Sequence, residues 1–352
     1  MFRADELKTT LLAMERLSLT HPHLAWLQLD GDVKEMFTEC PRTVIRQACL
    51  FWLDRASATF RRSSFSFDRH GHDRHVSFGT CTTTESRASM TFTEFYSCFE
   101  FNLDNTYFLL GQTLLHQTDG LAMGAYSSVS DSGLLIGFFE YQFRASLGTE
   151  CFISPREPLY TPPDPFSAFI GLRYVDDTNY FAAYDTRVPA SRELALRLLT
   201  RCGSMLPPPL QLILSPPHHE HRYLMADLFP DGRVWDMRPH LPNSLQSIMR
   251  RLETPTITHW TTHRPRSQLR AMLIGRALMC ESFALTFSAY IDALHIIFAQ
   301  AVNAAYPRTF ICSAFRRVFD IFITRRPHWT DIHGDPTPIH RAFALLCRRH
   351  LF

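Results

Sequence analysis

Residues 169–184, FIGLRYVDDTNYFAAY, place two adjacent aspartates, Asp176 and Asp177, between two mostly apolar arms. Each arm is short and rich in Tyr, Phe and Ile, the residues that favour strands, and the tip Val175-Asp176-Asp177 is polar. The pattern predicts a β-hairpin with carboxylates at its turn. An Asp-Asp dipeptide alone reads first as a solvated turn, because Asp favours turns for local hydrogen-bonding reasons. What surrounds the pair therefore decides its meaning.

Upstream, residues 24–29 (LAWLQL) form a nearly continuous apolar run, as expected of a strand buried on both faces. It leads directly into Asp30-Gly31-Asp32, which puts carboxylates at the strand's C-terminal end. Pro41 then opens a helix whose apolar positions, Val44, Ile45, Ala48, Cys49, Trp52, Leu53 and Ala56, keep helical spacing. Further on, a glycine-punctuated loop at 120–124 precedes Ser127 and Ser128. Either serine can cap a helix running through Leu134, Leu135, Phe138 and Phe139.

Strand, helix, second helix and hairpin give a βαββ-like order. Such an order brings Asp32, Asp176 and Asp177 to one edge of a sheet, although Asp32 and Asp176 are 144 residues apart. Three carboxylates suit a pair of magnesium ions, which take hard oxygen ligands and keep waters and substrate phosphates. Two such ions can activate a hydroxyl nucleophile and stabilise a leaving pyrophosphate.

The rest of the chain is less chemical. Residues 61–86, RRSSFSFDRHGHDRHVSFGTCTTTES, are rich in Arg, Ser, Thr and His, and the stretch 55–91 reads as a loop or poorly packed insertion. Five prolines within 154–166 mark a linker or surface loop. A helix is expected over 193–205, ended by Pro207-Pro208-Pro209. Two short strands are expected at 223–228 and 234–237, joined by Pro230-Asp231-Gly232. From about residue 244 the pattern is helical throughout.

Composition bears on partners. Of 36 basic residues only Lys8 and Lys34 are lysines, leaving 34 arginines, whose forks match phosphate and stack on bases, although codon composition explains such an excess equally well. The nine cysteines are odd in number, scattered and without a CxxC pair, so neither a zinc ribbon nor a disulfide framework is indicated. They read as small core residues of a protein kept in a reducing compartment. Asp5, Glu6 and Glu15 interrupt the first 20 residues, so no signal peptide is expected. The longest apolar stretch, 283–306, carries Asp292 and His295 and reads as a buried helix, so no membrane partner is expected.

Arg173-Tyr174-Val175-Asp176-Asp177 resembles the catalytic hairpin of reverse transcriptases, where an aromatic and a small apolar residue precede paired aspartates. Asp32-Val33-Lys34-Glu35-Met36-Phe37 resembles the first catalytic motif of that family, with an aromatic residue five positions after the Asp. Gln117-Thr118-Asp119-Gly120-Leu121-Ala122-Met123-Gly124 resembles its Gln-x-x-Gly-x-x-Met-Gly loop, and Phe138-Phe139-Glu140 fits the end of the helix that follows. The three motifs stand in the family's order over roughly residues 24–320. Met225-Ala226-Asp227 and Ala304-Ala305-Tyr306-Pro307 make the Penelope-like retroelement transcriptases the most similar variety. Two positions depart from the pattern: Ser128-Val129 replaces the usual Ser-Pro, and Arg238-Pro239 stands where a lysine usually precedes the proline.

The resemblance implies an α+β right-hand polymerase fold: a palm over 1–240, an antiparallel sheet with packed helices and a polar insertion at about 55–91. A helical thumb would cover 245–320 and a C-terminal tail 321–352. It implies RNA-templated DNA synthesis, with RNA template, DNA primer and deoxynucleoside triphosphates as partners. Asp32, Asp176 and Asp177 would be catalytic. Together with Val33 they would hold two Mg2+ ions, with Mn2+ as the substitute. Phe37 would exclude a 2′-hydroxyl, while Gln117, Gly120, Met123 and Gly124 would position base and template. Arg238 would face the pyrophosphate. The family places a fingers subdomain before the first motif, and only 31 residues precede Asp32 here. A separate fingers-bearing or endonuclease segment is thus among the expected partners, and the alternative is a truncated, catalytically dead retroelement remnant that only binds nucleic acid. An intracellular, nuclear location follows from the resemblance alone.

Two further features have two readings each. His70, His72 and His75, and His218, His219 and His221, can ligate zinc, but they lack partners at finger spacing and read first as solvated loops. Arg250, Arg251, Arg264, Arg266, Arg270 and Arg276 can track a nucleic-acid backbone or simply face solvent. No Gly-x-Ser-x-Gly elbow supports a hydrolase.

Overall fold

In chain order the elements are α1 (Ala4–Thr20), β1 (Leu24–Lys34), α2 (Met36–Glu39), α3 (Arg42–Phe60), β2 (Ser64–Asp68), β3 (Ser77–Phe78), β4 (Arg87–Thr91), α4 (Phe92–Asp104), β5 (Tyr107–Leu110), β6 (Thr113–His116) and α5 (Ser128–Leu147). There follow β7 (Ser167–Tyr174), β8 (Asp177–Asp185), α6 (Pro189–Arg201), β9 (Gln211–Leu214), β10 (His221–Tyr223), β11 (Ala226–Asp231), β12 (Val234–Pro239), α7 (Arg266–Ser282), α8 (Phe287–Asn303) and α9 (Arg308–Arg325). The structure, a computed structural model, describes residues 4–69, 76–80, 84, 86–125, 127–147, 167–215, 221–223, 226–231, 234–242, 244 and 256–325. It is mixed helix and sheet, and its assigned strand pairs are antiparallel. The chain divides into two compact units, residues 26–217 and residues 2–25 with 218–352.

The first unit is built on a four-stranded sheet of order β7-β8-β1-β9. β7 and β8 are the expected hairpin, in register from Ser167↔Tyr184 to Tyr174↔Asp177. β1 lies between β8 and β9 and pairs Asp32 with Ile213 and Val33 with Leu212. The strand runs further than the apolar run suggested, through Lys34. Gly31 and Val33 are buried there while Asp32 and Lys34 are exposed, the alternation a strand imposes.

Behind the sheet, α3 buries Ile45, Ala48 and Cys49 at helical spacing, and α5 buries Leu135 and Ile136. The Trp52 ring N–H donates to the Leu134 carbonyl at 3.0 Å and ties the two helices. Helix α4 starts at a reciprocal capping box between Thr91 and Glu94. Helix α6 begins at Pro189, earlier than residue 193, because proline is well tolerated in a first turn. It gives way to a 3-10 turn at Cys202–Ser204.

The polar stretch around 61–86 is not the loop that its composition suggests. Strands β3-β2-β4 make a small sheet there, and Phe60 stacks on Phe78 with centroids 3.8 Å apart. Ser64 and Ser66 are buried and alternate with Phe65 and Phe67, so the pleat is carried by serines. Those serines hide the alternation from a hydropathy reading. His70, His72 and His75 lie outside the described residues.

In the second unit, β10-β11-β12 form an antiparallel sheet. Tyr223 pairs with Ala226, so two strands occupy the place where one was expected over 223–228. Leu269, Leu273, Ala277 and Cys280 of α7, Tyr290, Leu294, Ile297 and Phe298 of α8, and Ile311, Phe315 and Val318 of α9 make its core. Thr286 caps α8 by accepting the Ala289 N–H at 3.2 Å. No described helix is long and apolar enough to cross a membrane.

Candidate active site

The sheet joins the first motif to the hairpin tip. The Val33 N–H donates to the Asp176 carbonyl at 3.1 Å, which sets Asp32 beside Asp176 and Asp177. Gly31 makes that approach feasible. A Cβ there would stand 2.5 Å from the Thr178 hydroxyl and 2.9 Å from a Leu212 methyl, closer than real side chains come. The Val33 side chain carries no oxygen, so its main-chain carbonyl is all it can offer a cation.

The electrostatics record the crowding of carboxylates. Partial desolvation of a side chain that still reaches solvent, then the charge of Asp176, lifts the Asp32 carboxyl above its ordinary value. Burial, followed by the charges of Asp176, Asp32 and Asp30, lifts Asp177. Asp30 is thus a fourth member of the group, and the Gln28 amide donates to it at 3.2 Å and to Asn179 at 2.8 Å. Negative charge gathered on hard oxygen donors fits a magnesium-type ion. Among the described residues, however, no three His, Cys, Asp or Glu side chains are gathered closely enough to hold a metal ion as they stand.

The tip itself is strained. Val175 has φ 58°, a left-handed conformation that is expensive for a β-branched residue. Beside it, Arg173 donates from Nε to Glu140 Oε1 at 2.7 Å, from Nη2 to Glu140 Oε2 at 3.3 Å, and from Nη1 to the Val175 carbonyl at 3.2 Å.

The glycine loop docks on the chain just after the first motif. Gly120 has φ 65°, and a Cβ there would lie 2.6 Å from the carbonyl oxygens of both Phe37 and Thr38. The Leu121 N–H donates to the Phe37 carbonyl at 2.6 Å, and Arg42 Nε donates to the Gly120 carbonyl at 3.0 Å. A glycine is therefore required by the chain's own backbone, a neighbour the motif alone did not disclose. Phe37 is half-buried against the core. The Gln117 amide donates to the Asp119 carbonyl at 2.8 Å, Met123 is 76% exposed, and Gly124 has φ 91° with open space around it. Ser128, at the departure from Ser-Pro, uses its hydroxyl on the Ala122 carbonyl at 2.6 Å and so fastens the start of α5 by other means.

Other expected residues belong to the second unit. Arg238 lies exposed on β12 of the second unit, opposite Asp227, and Asp227 pairs with His240 at 2.9 Å. Arg266 and Arg270 sit over the rings of Trp260 and Phe310, at 3.6 and 5.0 Å, on one face of α7. Arg276 reaches the Thr256 hydroxyl. Arg250, Arg251, His218 and His219 lie outside the described residues, as does the His221 side chain. Gln28, Asp30, Glu140 and Arg173 were not singled out as site residues by sequence reasoning. Asp30 stood two residues from Asp32, so a signal existed; the Glu140–Arg173 pair needed the fold.

No family model and no curated protein matches the chain. Among solved structures it is similar to telomerase from Candida albicans in complex with a TWJ fragment of telomeric RNA, at 9% identity and TM-score 0.49, over 92% of this chain and 47% of that one. It is also similar to apo telomerase from Candida tropicalis, at 11% identity and TM-score 0.45, over 91% of this chain and 49% of that one. The chain spans about half the length of these structures.

Proposed function

We propose that the chain is the palm and helical thumb of a retroelement-type reverse transcriptase that copies RNA into DNA. The observation that supports it most is the Val33–Asp176 hydrogen bond, which sets Asp32 beside Asp176 and Asp177 across 144 residues of sequence. In this reading Asp32, Asp176, Asp177 and the Val33 carbonyl hold two magnesium or manganese ions. Bound there, the ions supply activation of a primer 3′-hydroxyl and neutralisation of the leaving pyrophosphate. Phe37 closes the sugar pocket, and the loop at 117–124 carries template and base.

The second reading is a non-catalytic nucleic-acid-binding remnant. It draws support from the absence of a gathered metal-ligand triad among the described residues. Primer extension on an RNA template, with magnesium or manganese, separates the two. Manganese binding followed by calorimetry gives a readout independent of turnover. Asp176→Asn should lower extension by on the order of 10³-fold, the scale of several kcal/mol of charge stabilisation by a metal. Extension that is equal in the wild type and in Asp176→Asn would sink the polymerase reading. Template binding without extension or metal uptake would leave the remnant standing.

A further inference from the structure

We propose that Glu140 and Arg173 are positioning residues: a clamp that holds the backbone on the amino side of Asp176 and so presents both hairpin carboxylates. The proposal rests on the reading of that hairpin as the catalytic centre.

Asp176 is flanked by two peptide units. The carbonyl of the first, on Val175, accepts from Arg173 Nη1 at 3.2 Å. The carbonyl of the second, on Asp176 itself, accepts from the Val33 N–H at 3.1 Å. Holding both peptide planes fixes the backbone torsions of Asp176, and with them the direction of its Cα–Cβ bond. The second restraint belongs to the sheet and would exist wherever β1 lies beside β8. The first depends on one side chain.

That restraint acts at the point of strain. Val175 stands at φ 58°, where a turn usually employs glycine or asparagine, and a β-branched residue drifts from that conformation unless its surroundings hold it. A free arginine would be a poor restraint, since its four-torsion side chain samples many rotamers. Glu140 removes that freedom by engaging the fork in two prongs, at 2.7 and 3.3 Å. With Arg173 17% exposed and Glu140 35%, the pair is partly buried and less screened than one lying fully in solvent. Glu140 in turn rides on α5, anchored by the buried Leu135 and Ile136. Rigidity thus passes from the core, through one ion pair, to the tip.

Hydrogen–deuterium exchange of the full chain, resolved by peptide, tests this without requiring turnover. In Glu140→Gln and in Arg173→Ala, exchange over residues 172–179 should quicken about tenfold or more, the scale of one charge-assisted hydrogen bond. Amides of α3 and α6 should keep wild-type rates. Magnesium-dependent extension should fall by a similar factor through kcat, with template–primer affinity unchanged. The reversed pair, Glu140→Arg with Arg173→Glu, restores an ion pair but leaves no donor for the Val175 carbonyl. It should recover the thermal midpoint and not the tip protection.

Unchanged exchange at the tip, faster exchange spread evenly over the whole unit, or a reversed pair that restores protection would each overturn the clamp. So would unaltered kcat in both single variants of an enzyme that Asp176→Asn inactivates. If the wild type and Asp176→Asn are equally inactive, the polymerase reading fails on its own, and the exchange rates still decide the clamp.

Discussion

The Val33 N–H and the Asp176 carbonyl, 3.1 Å apart, join two stretches of chain that carry every carboxylate of the candidate site. Gly31, two residues before Val33, lets the strands meet. Gly31→Ala should therefore separate β1 from β8 and destabilise the first unit by about 1–3 kcal/mol, the range for overpacking a dense core. Adding Thr178→Ala removes the 2.5 Å clash and should return part of that loss, which urea unfolding of the single and double variants would measure. Strictly additive losses would show that the hydroxyl is not the obstacle.

Asp177 titrates above the ordinary range because of burial and then its three acidic neighbours. A carboxyl raised in the folded state stabilises the fold while protonated and loses that contribution as pH rises through its folded value. At neutral pH the ionised group is accordingly a small liability. Asp177→Asn should raise the thermal midpoint by about 1–2 °C at pH 7, and the gain should vanish as the buffer falls through the usual carboxylate range. Magnesium should narrow the gap by stabilising the wild type alone. A lower midpoint for Asp177→Asn at pH 7 would contradict the repulsion.

The two loop glycines differ in what confines them. At Gly120 a methyl group meets two carbonyl oxygens at 2.6 Å, and its φ is positive as well. Gly124 has only the positive φ. Gly120→Ala should cost roughly 3 kcal/mol or more, as strain and clash combine, and Gly124→Ala roughly 1–2 kcal/mol from strain alone. Thermal melts of the two variants should rank them in that order.

In the polymerase reading, Phe37→Val opens the sugar pocket. Ribonucleotide incorporation should rise about tenfold or more relative to deoxynucleotide, the usual scale of one steric contact. Primer extension with each nucleotide set measures it, and unchanged discrimination in an active enzyme would remove Phe37 from that role.

On α7, Arg266 and Arg270 are held over aromatic rings and aimed along one helix face. If they meet phosphates, replacing both with alanine should weaken template–primer binding and flatten its dependence on log salt by about 1–2 units. An unaltered slope would leave them as a solvated face.

Much of this was legible from periodicity and punctuation. The hairpin around Asp176, the helix after Pro41 and the helix start near Ser128 came from apolar spacing, proline and a capping residue, all local signals. Residues 61–86 were misread because the pleat buries Ser64 and Ser66, so strand alternation ran opposite to hydropathy. The need for Gly120 was readable, but its cause was not. The carbonyls it abuts belong to Phe37 and Thr38, more than 80 positions earlier. Glu140 and Arg173 are likewise 33 residues apart, and only packing brings them together.

The small sheet β3-β2-β4 leaves and rejoins the unit through a narrow neck. The Phe92 N–H donates to the Ser63 carbonyl at 2.9 Å, and Ser64 pairs with Thr91. Phe78 stacks on Phe60 of α3 and Phe65 meets Phe95 of α4, so exchanging the small sheet would strip ring contacts from both helices. Lengthening a turn within it, by contrast, costs only about 0.6 kcal/mol per doubling of a closed loop. A fluorescent or affinity module is therefore better added at a turn of this small sheet than put in its place, which also leaves the strands that bear the carboxylates together.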